Sequence, residues 1–260
     1  MSFKLLPIAL VLVSAPVFAE QEKQTVASLL GEPVEEAKYW SGDIDFGYIN
    51  FSGNTEETTT SGSFTLLRID APWKFAVHAE GLGSEKEDER TAEKYSGFTR
   101  VSYNFTEKNY LFARASYEED KFSGFENQYT ATAGVGWNIY DLDTFNWDLE
   151  TGLGYRFATA EDLVDELTGD ITEGEDEEEP VVRLATAVKW DFSETGSFVQ
   201  LLGTEIGEDN TISYSETAVK LQLVGKLALK ISYKIKYTEE VPVDIEKADK
   251  ETVVSVSYSF

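Results

Sequence analysis

The chain has 260 residues, with 22 lysines and arginines against 48 aspartates and glutamates, a net charge of −26 and a pI near 4.3. With no cysteine and one histidine, His78, disulfides, cysteine nucleophiles and multi-histidine zinc sites are excluded, and no cofactor is expected. So acidic a chain repels polyanions, so no nucleic-acid partner is expected; yet 42% hydrophobic and 13% aromatic residues describe a folded, strand-rich protein.

The first nineteen residues read as an export signal. Lys4 supplies a positive start, Leu5 to Val13 is apolar, and Val17-Phe18-Ala19 is a small-x-small cleavage site before Glu20. Residues 20–38 are polar and read as a short periplasmic leader. Beyond the signal no run approaches the ~20 apolar residues of a membrane helix. A membrane-spanning form of this chain is therefore a barrel.

From Tyr39 onward the texture alternates with period two, the mark of half-buried strands. Twelve strands are expected, at about 40–51, 57–69, 73–82, 93–104, 108–118, 125–138, 145–158, 181–192, 197–206, 211–223, 226–237 and 251–260. The runs 57–69, 197–206 and 211–223 alternate poorly, which leaves ten as the other count. Every second connection is short, as at Asp70-Ala71-Pro72 and Thr106-Glu107. Most of the others are longer and acidic, as at 83–92 and 159–180. A transmembrane antiparallel up-and-down β-barrel has this asymmetry, with short periplasmic turns and longer outer loops. The expected barrel covers 39–260. Its last strand alternates Val254, Val256, Tyr258 and Phe260 with serines, and Tyr258 and Phe260 are taken as an assembly signal for the barrel assembly machinery of a Gram-negative outer membrane.

The stretch from Gly42 to Thr55, with Gly47-Tyr48 and Ser52-Gly53-Asn54-Thr55, resembles the opening of the salt-induced outer-membrane protein family (YdiY-like), a domain of unknown function. Further matches are Glu93-Lys94-Tyr95, Tyr110 to Ser116 and Ser213 to Ala218. The resemblance implies an outer-membrane barrel of unassigned activity. It brings no catalytic residues, and its salt link comes from the family name only.

The expected inward faces carry the candidate functional residues. Lys74, His78, Glu80, Arg100 and Arg114 come from the first half of the chain. Asp148, Glu150, Arg156, Arg183 and Lys189 come from the middle. Lys226, Lys230, Lys234 and Lys236 form a basic ladder on one strand. Asp43, Asp45, Glu118, Glu126, Asp191, Lys220 and Glu216 share these polar faces, so the interior is nearly neutral. Paired charges closing a narrow lumen are one reading, and a water-filled basic wall is the other. His78 lacks the His-x-Ser partner of barrel phospholipases, because Glu80 stands two residues on. The run 161–179 holds eleven acidic residues without calcium-loop spacing, which suits a solvated outer loop; loose binding of divalent cations that bridge to lipopolysaccharide is the sharper alternative.

The sequence thus favours a structural or envelope-maintenance outer-membrane barrel, at most a narrow channel, in contact with outer-membrane lipids. A small solute-specific porin is the alternative. A lipid hydrolase and a soluble lipocalin-like binder are further readings, and no enzymatic activity is expected.

Overall fold

The computed structural model describes residues 39–51, 57–87, 89–121, 125–160, 163–164, 171–172, 176–241 and 245–260. The export signal and the leader lie outside these residues. In chain order the strands are β1 (Tyr39–Phe51), β2 (Glu57–Asp70), β3 (Trp73–Lys86), β4 (Glu89–Asn104), β5 (Asn109–Asp120), β6 (Phe125–Leu142) and β7 (Phe145–Ala160). Two-residue strands β8 (Leu163–Val164) and β9 (Ile171–Thr172) pair with each other. Then come β10 (Asp176–Ser193), β11 (Gly196–Ile206), β12 (Thr211–Val224), β13 (Leu227–Thr238) and β14 (Ala248–Ser259).

Twelve of these strands close into one antiparallel barrel in which each neighbours the next, with β7 beside β10. Closure comes from β1 against β14, in register from Asp43↔Ser259 to Gly47↔Ser255. The expected fold and the count of twelve both hold. The poorly alternating runs are real strands, and their breaks have a cause. In β2 and β11 both faces are apolar: Leu66 and Leu202 face out, Leu67 and Leu201 face in.

The outer surface is what a bilayer requires. Large apolar side chains are exposed all round the wall, including Ile44, Leu149, Leu153, Leu184, Ile231 and Val256. Aromatic rings gather at the two ends of this band. Trp40, Trp73, Tyr103, Trp190 and Tyr258 lie toward the short turns, and Tyr48, Tyr95, Tyr129, Tyr155 and Tyr237 toward the longer loops. They pack on one another, with Trp73 and Tyr103 ring centres 4.9 Å apart. One seam departs from this pattern. On the outward positions of β11 and β12, Gln200 donates to Ser215 Oγ at 3.1 Å and accepts from Thr217 Oγ1 at 2.7 Å. Ser213 and Thr204 bond to each other at 3.0 Å. These polar groups satisfy one another within the wall, as a lipid-facing site demands.

Three sequence expectations need correction. Strands β3 and β4 continue to Lys86 and from Glu89, so 83–92 is a tall hairpin rather than a loop; Glu87 takes a positive φ of 52° at its tip. Glu126 does not face the lumen, because a register shift between Phe125 and Asn127 turns Phe125 inward and leaves Glu126 exposed. Lys226 is exposed in the β12–β13 turn beside Gly225, whose φ of 56° suits a glycine, so the ladder has three lysines and not four.

Candidate functional site: the barrel lumen

The lumen fills from the short-turn end upward. Leu67 and Ile69 of β2 and Ala76 of β3 meet Val199 of β11 and Ala218 of β12, with Phe98 and Leu201 packed against them. Strands β2 and β11 are separated by β1, β14, β13 and β12, so this apolar cluster crosses the barrel interior. Beside it Lys220 reaches Asp43 at 2.8 Å, and Ser259 Oγ bonds to both. Lys74, Asp148 and Lys189 are buried on the strand ends nearby.

The middle of the lumen holds buried ion pairs. Arg100 bonds to Glu150, which also accepts from the Tyr110 hydroxyl at 3.0 Å. The Arg100 guanidinium lies 5.4 Å from the ring centres of both Tyr110 and Phe112, inward-facing aromatics of β5. Arg183 and Arg114 approach Glu205 at 3.2 and 3.8 Å. On the wall formed by β12, β13, β14 and β1, Lys230 bonds to Asp45 at 2.9 Å and lies 4.0 Å from Glu216, while Ser63 of β2 donates to Asp45 at 2.9 Å. Full burial of such charges is tolerable only when they are paired and hydrogen-bonded.

Toward the loops the network opens into a cavity of about 250 Å³, lined by His78, Glu80, Lys94, Arg114, Tyr214 and Glu216 among others. Lys234 pairs with Glu80, which also accepts from Ser96 at 3.0 Å. His78 lies 2.9 Å from Thr65 Oγ1 and 3.6 Å from Glu80. Lys236 pairs with Glu118, and Lys94 stands within 4 Å of Glu118, Asp120 and Glu251. Arg156 bonds to Glu179 and to the Asn210 carbonyl, while Glu179 accepts from the backbone of Asp209 and Asn210 at 2.7 and 3.3 Å. Asn210 in turn bonds to the backbone of Glu240. Two outer loops are thereby fastened to a buried ion pair.

Above the bilayer the β3–β4 hairpin carries its own charges. The ten residues from Tyr95 to Asn104 already span a membrane at barrel tilt. Just beyond them, Lys121 and Arg90 hydrogen-bond to Glu93 and hold its carboxyl below the ordinary range.

Sequence reasoning omitted several members of this network. Glu179 belongs to β10 and not to an acidic loop, Glu205 sits in a strand that alternates poorly, and Lys94 and Glu251 stand at the ends of the strands expected at 93–104 and 251–260 but inside β4 and β14. Cross-strand register was the signal that could have found them: Lys94 pairs with Asp120. The rest of the acidic run is largely outside the described residues. Tyr258 is exposed on the outer face of β14, and Phe260 exchanges backbone hydrogen bonds with Gly42.

A closed twelve-stranded barrel with an apolar outer band, aromatic rings at both edges and a charged interior is a transmembrane β-barrel of the outer-membrane type. The chain belongs to the DUF481 family of proteins of unknown function, whose family model matches residues 44–260. It is 25% identical over 255 residues to the uncharacterized protein YdiY of Escherichia coli (strain K12), covering 96% of both chains. Among solved structures it is similar to the translocator domain of the autotransporter NalP from Neisseria meningitidis, with TM-score 0.51, 13% identity, and 85% and 87% of the two chains covered. An outer membrane channel from Pseudomonas putida F1 gives TM-score 0.49, 10% identity, and 88% and 98% coverage. The first of these likenesses concerns the fold alone.

Proposed function

We propose that this protein is an outer-membrane barrel of structural, envelope-maintenance type whose lumen is closed to through-passage of solutes. The observation that carries the reading is the crossing of the lumen at successive depths. An apolar cluster joins β2–β3 to β11–β12, and the Lys236–Glu118 pair joins opposite walls. A general porin needs a water-filled bore instead. The salt link implied by the family resemblance fits within this proposal, because the Lys234 and Lys236 pairs border the cavity, where ionic strength screens part-exposed charges.

His78 is read here as a structural residue. Its hydroxyl neighbour, Thr65, is buried inside the barrel, away from any lipid substrate. A small solute-specific porin is the second reading, and the cavity of about 250 Å³ favours it. Single-channel conductance of the purified barrel in a planar bilayer separates the two. The closed reading expects no stable openings in moderate salt. Large, long-lived conductance steps would refute it.

A further inference from the structure

Two incompletely neutralised groups on different stretches of the wall border the lumen cavity, which Arg114, Glu205 and Glu216 line. On one wall Arg114 of β5 and Arg183 of β10 share a single carboxylate, Glu205, at 3.8 and 3.2 Å. Neither guanidinium has a second carboxylate within 4 Å among the described residues. On the other wall Asp45 and Glu216 share a single ammonium, Lys230, at 2.9 and 4.0 Å. Lys234, the cross-strand neighbour of Glu216, directs its hydrogen bond to Glu80. Arg114 and Glu216 line the same cavity, on strands separated by β6, β7, β10 and β11, almost opposite in the ring.

The donors on the basic wall are held in place. Arg114 stacks 4.7 Å from the Phe98 ring centre and donates to Ser116 at 2.9 Å, and Arg183 stacks 5.4 Å from that of Tyr214. The Tyr214 hydroxyl lines this region and, like Arg183 Nε, is buried with no hydrogen-bond partner among the described residues. A fixed guanidinium presents a planar fork that suits a carboxylate. A lone anion would complete only the basic wall, and a lone cation only the acidic one.

We propose that the cavity is a binding site for a small zwitterion of amino-acid type. Its carboxylate meets Arg114 and the Tyr214 hydroxyl, and its ammonium meets Glu216. Such a solute supplies both missing half-charges while adding no net charge, so the acidic surface does not repel it as it repels an anion. At ~30 Å³ per water, the volume holds several waters' worth of ligand, a single small molecule and not an oligomer. The inference deepens the second reading above, but binding itself does not require an open lumen.

The test is calorimetric titration of the full folded barrel in detergent at fixed ionic strength. Glycine, 4-aminobutyrate and 6-aminohexanoate are the zwitterionic probes, which also measure the span between the charges. Acetate and methylammonium are the single-charge controls. We expect saturable binding of at least one zwitterion, with both controls about tenfold weaker or more. Arg114→Gln and Glu216→Gln should each weaken that binding by about tenfold, with heat-modifiable mobility retained. Tyr214→Phe, which keeps the ring under Arg183, should weaken it several-fold and carries the test if Arg114→Gln does not fold. No saturable binding of any zwitterion, acetate binding as tightly as the best of them, or unchanged affinity in the folded variants overturns the proposal. Large conductance with binding intact would overturn the closed-lumen reading alone.

Discussion

Lys236 on β13 and Glu118 on β5 stand six strands apart in a ring of twelve, on opposite walls, and their side chains form an ion pair. The interior is therefore no wider at that depth than one lysine and one glutamate can bridge. Lys94 approaches the same carboxylate at 3.9 Å, so removing Lys236 leaves Glu118 with a second cation nearby.

A double-mutant cycle on Lys236→Gln and Glu118→Gln should return a coupling near the low end of ~0.5–3 kcal/mol. The low end is expected because the two side chains retain 11% and 25% of their exposure. Urea unfolding of the detergent-solubilised barrel measures it. Strict additivity of the two single variants would mean that the pair does not form.

Glu150 presents a harder case. It is 1% exposed and accepts from both Arg100 and Tyr110. Glu150→Gln keeps an acceptor for the tyrosine but removes the carboxylate that neutralises the buried Arg100, and should cost ~3–5 kcal/mol. Replacing the whole buried group, as Arg100→Met with Glu150→Leu and Tyr110→Phe, should recover most of that loss. A single variant as stable as the parent would show that Glu150 is not the group that neutralises Arg100.

Ile231 is 44% exposed on the outer face of β13, while its neighbour Ser232 is 3% exposed on the inner one. Ile231→Lys places a charge in lipid and should destabilise the barrel by ~2–4 kcal/mol near the midplane. Folding yield into vesicles, read by heat-modifiable mobility, reports the effect. Full tolerance of lysine there would contradict a lipid-facing β13.

The closing seam yields a steric prediction. A Cβ added to Gly42 would lie 2.5 Å from the Thr65 carbonyl oxygen and 2.6 Å from the Phe260 ring. Gly42→Ala should therefore cost ~1–3 kcal/mol. Deleting Phe260 removes the ring and two backbone hydrogen bonds to Gly42, of 3.1 and 2.9 Å, and is expected to lower outer-membrane assembly. An unchanged yield of heat-modifiable protein in the deletion would argue against an assembly role for the terminal aromatic.

Most of the barrel was legible because period-two alternation and loop length are local properties. Ile231, Tyr233 and Ile235 against Ser232 and Lys234 define two faces without knowledge of any other strand. The failures occur where a neighbour decides. Lys226 continues the alternation of β13 but falls in the turn, because Gly225 reverses the chain there. Glu126 loses its inward place to a register shift that its own sequence does not announce. Partner choice was least legible of all. Glu216 stands on the strand that precedes the lysine ladder, yet the closest acids are Asp45, Glu80 and Glu118, which come from far along the chain.

Those three acids lie on β1, β3 and β5, two strands further round the ring with each successive lysine of β13. Strands in a barrel are tilted against its axis, so side chains in a row along one strand aim at different sectors of the facing wall. The result is a fan of struts radiating from a single spar. Lateral pressure from the surrounding membrane tends to flatten a hollow tube along its weakest diameter. Here Lys236–Glu118 spans the full diameter, while Lys234–Glu80 and Lys230–Asp45 cross four and two strands of the ring, so the struts of β13 oppose flattening along the directions they span.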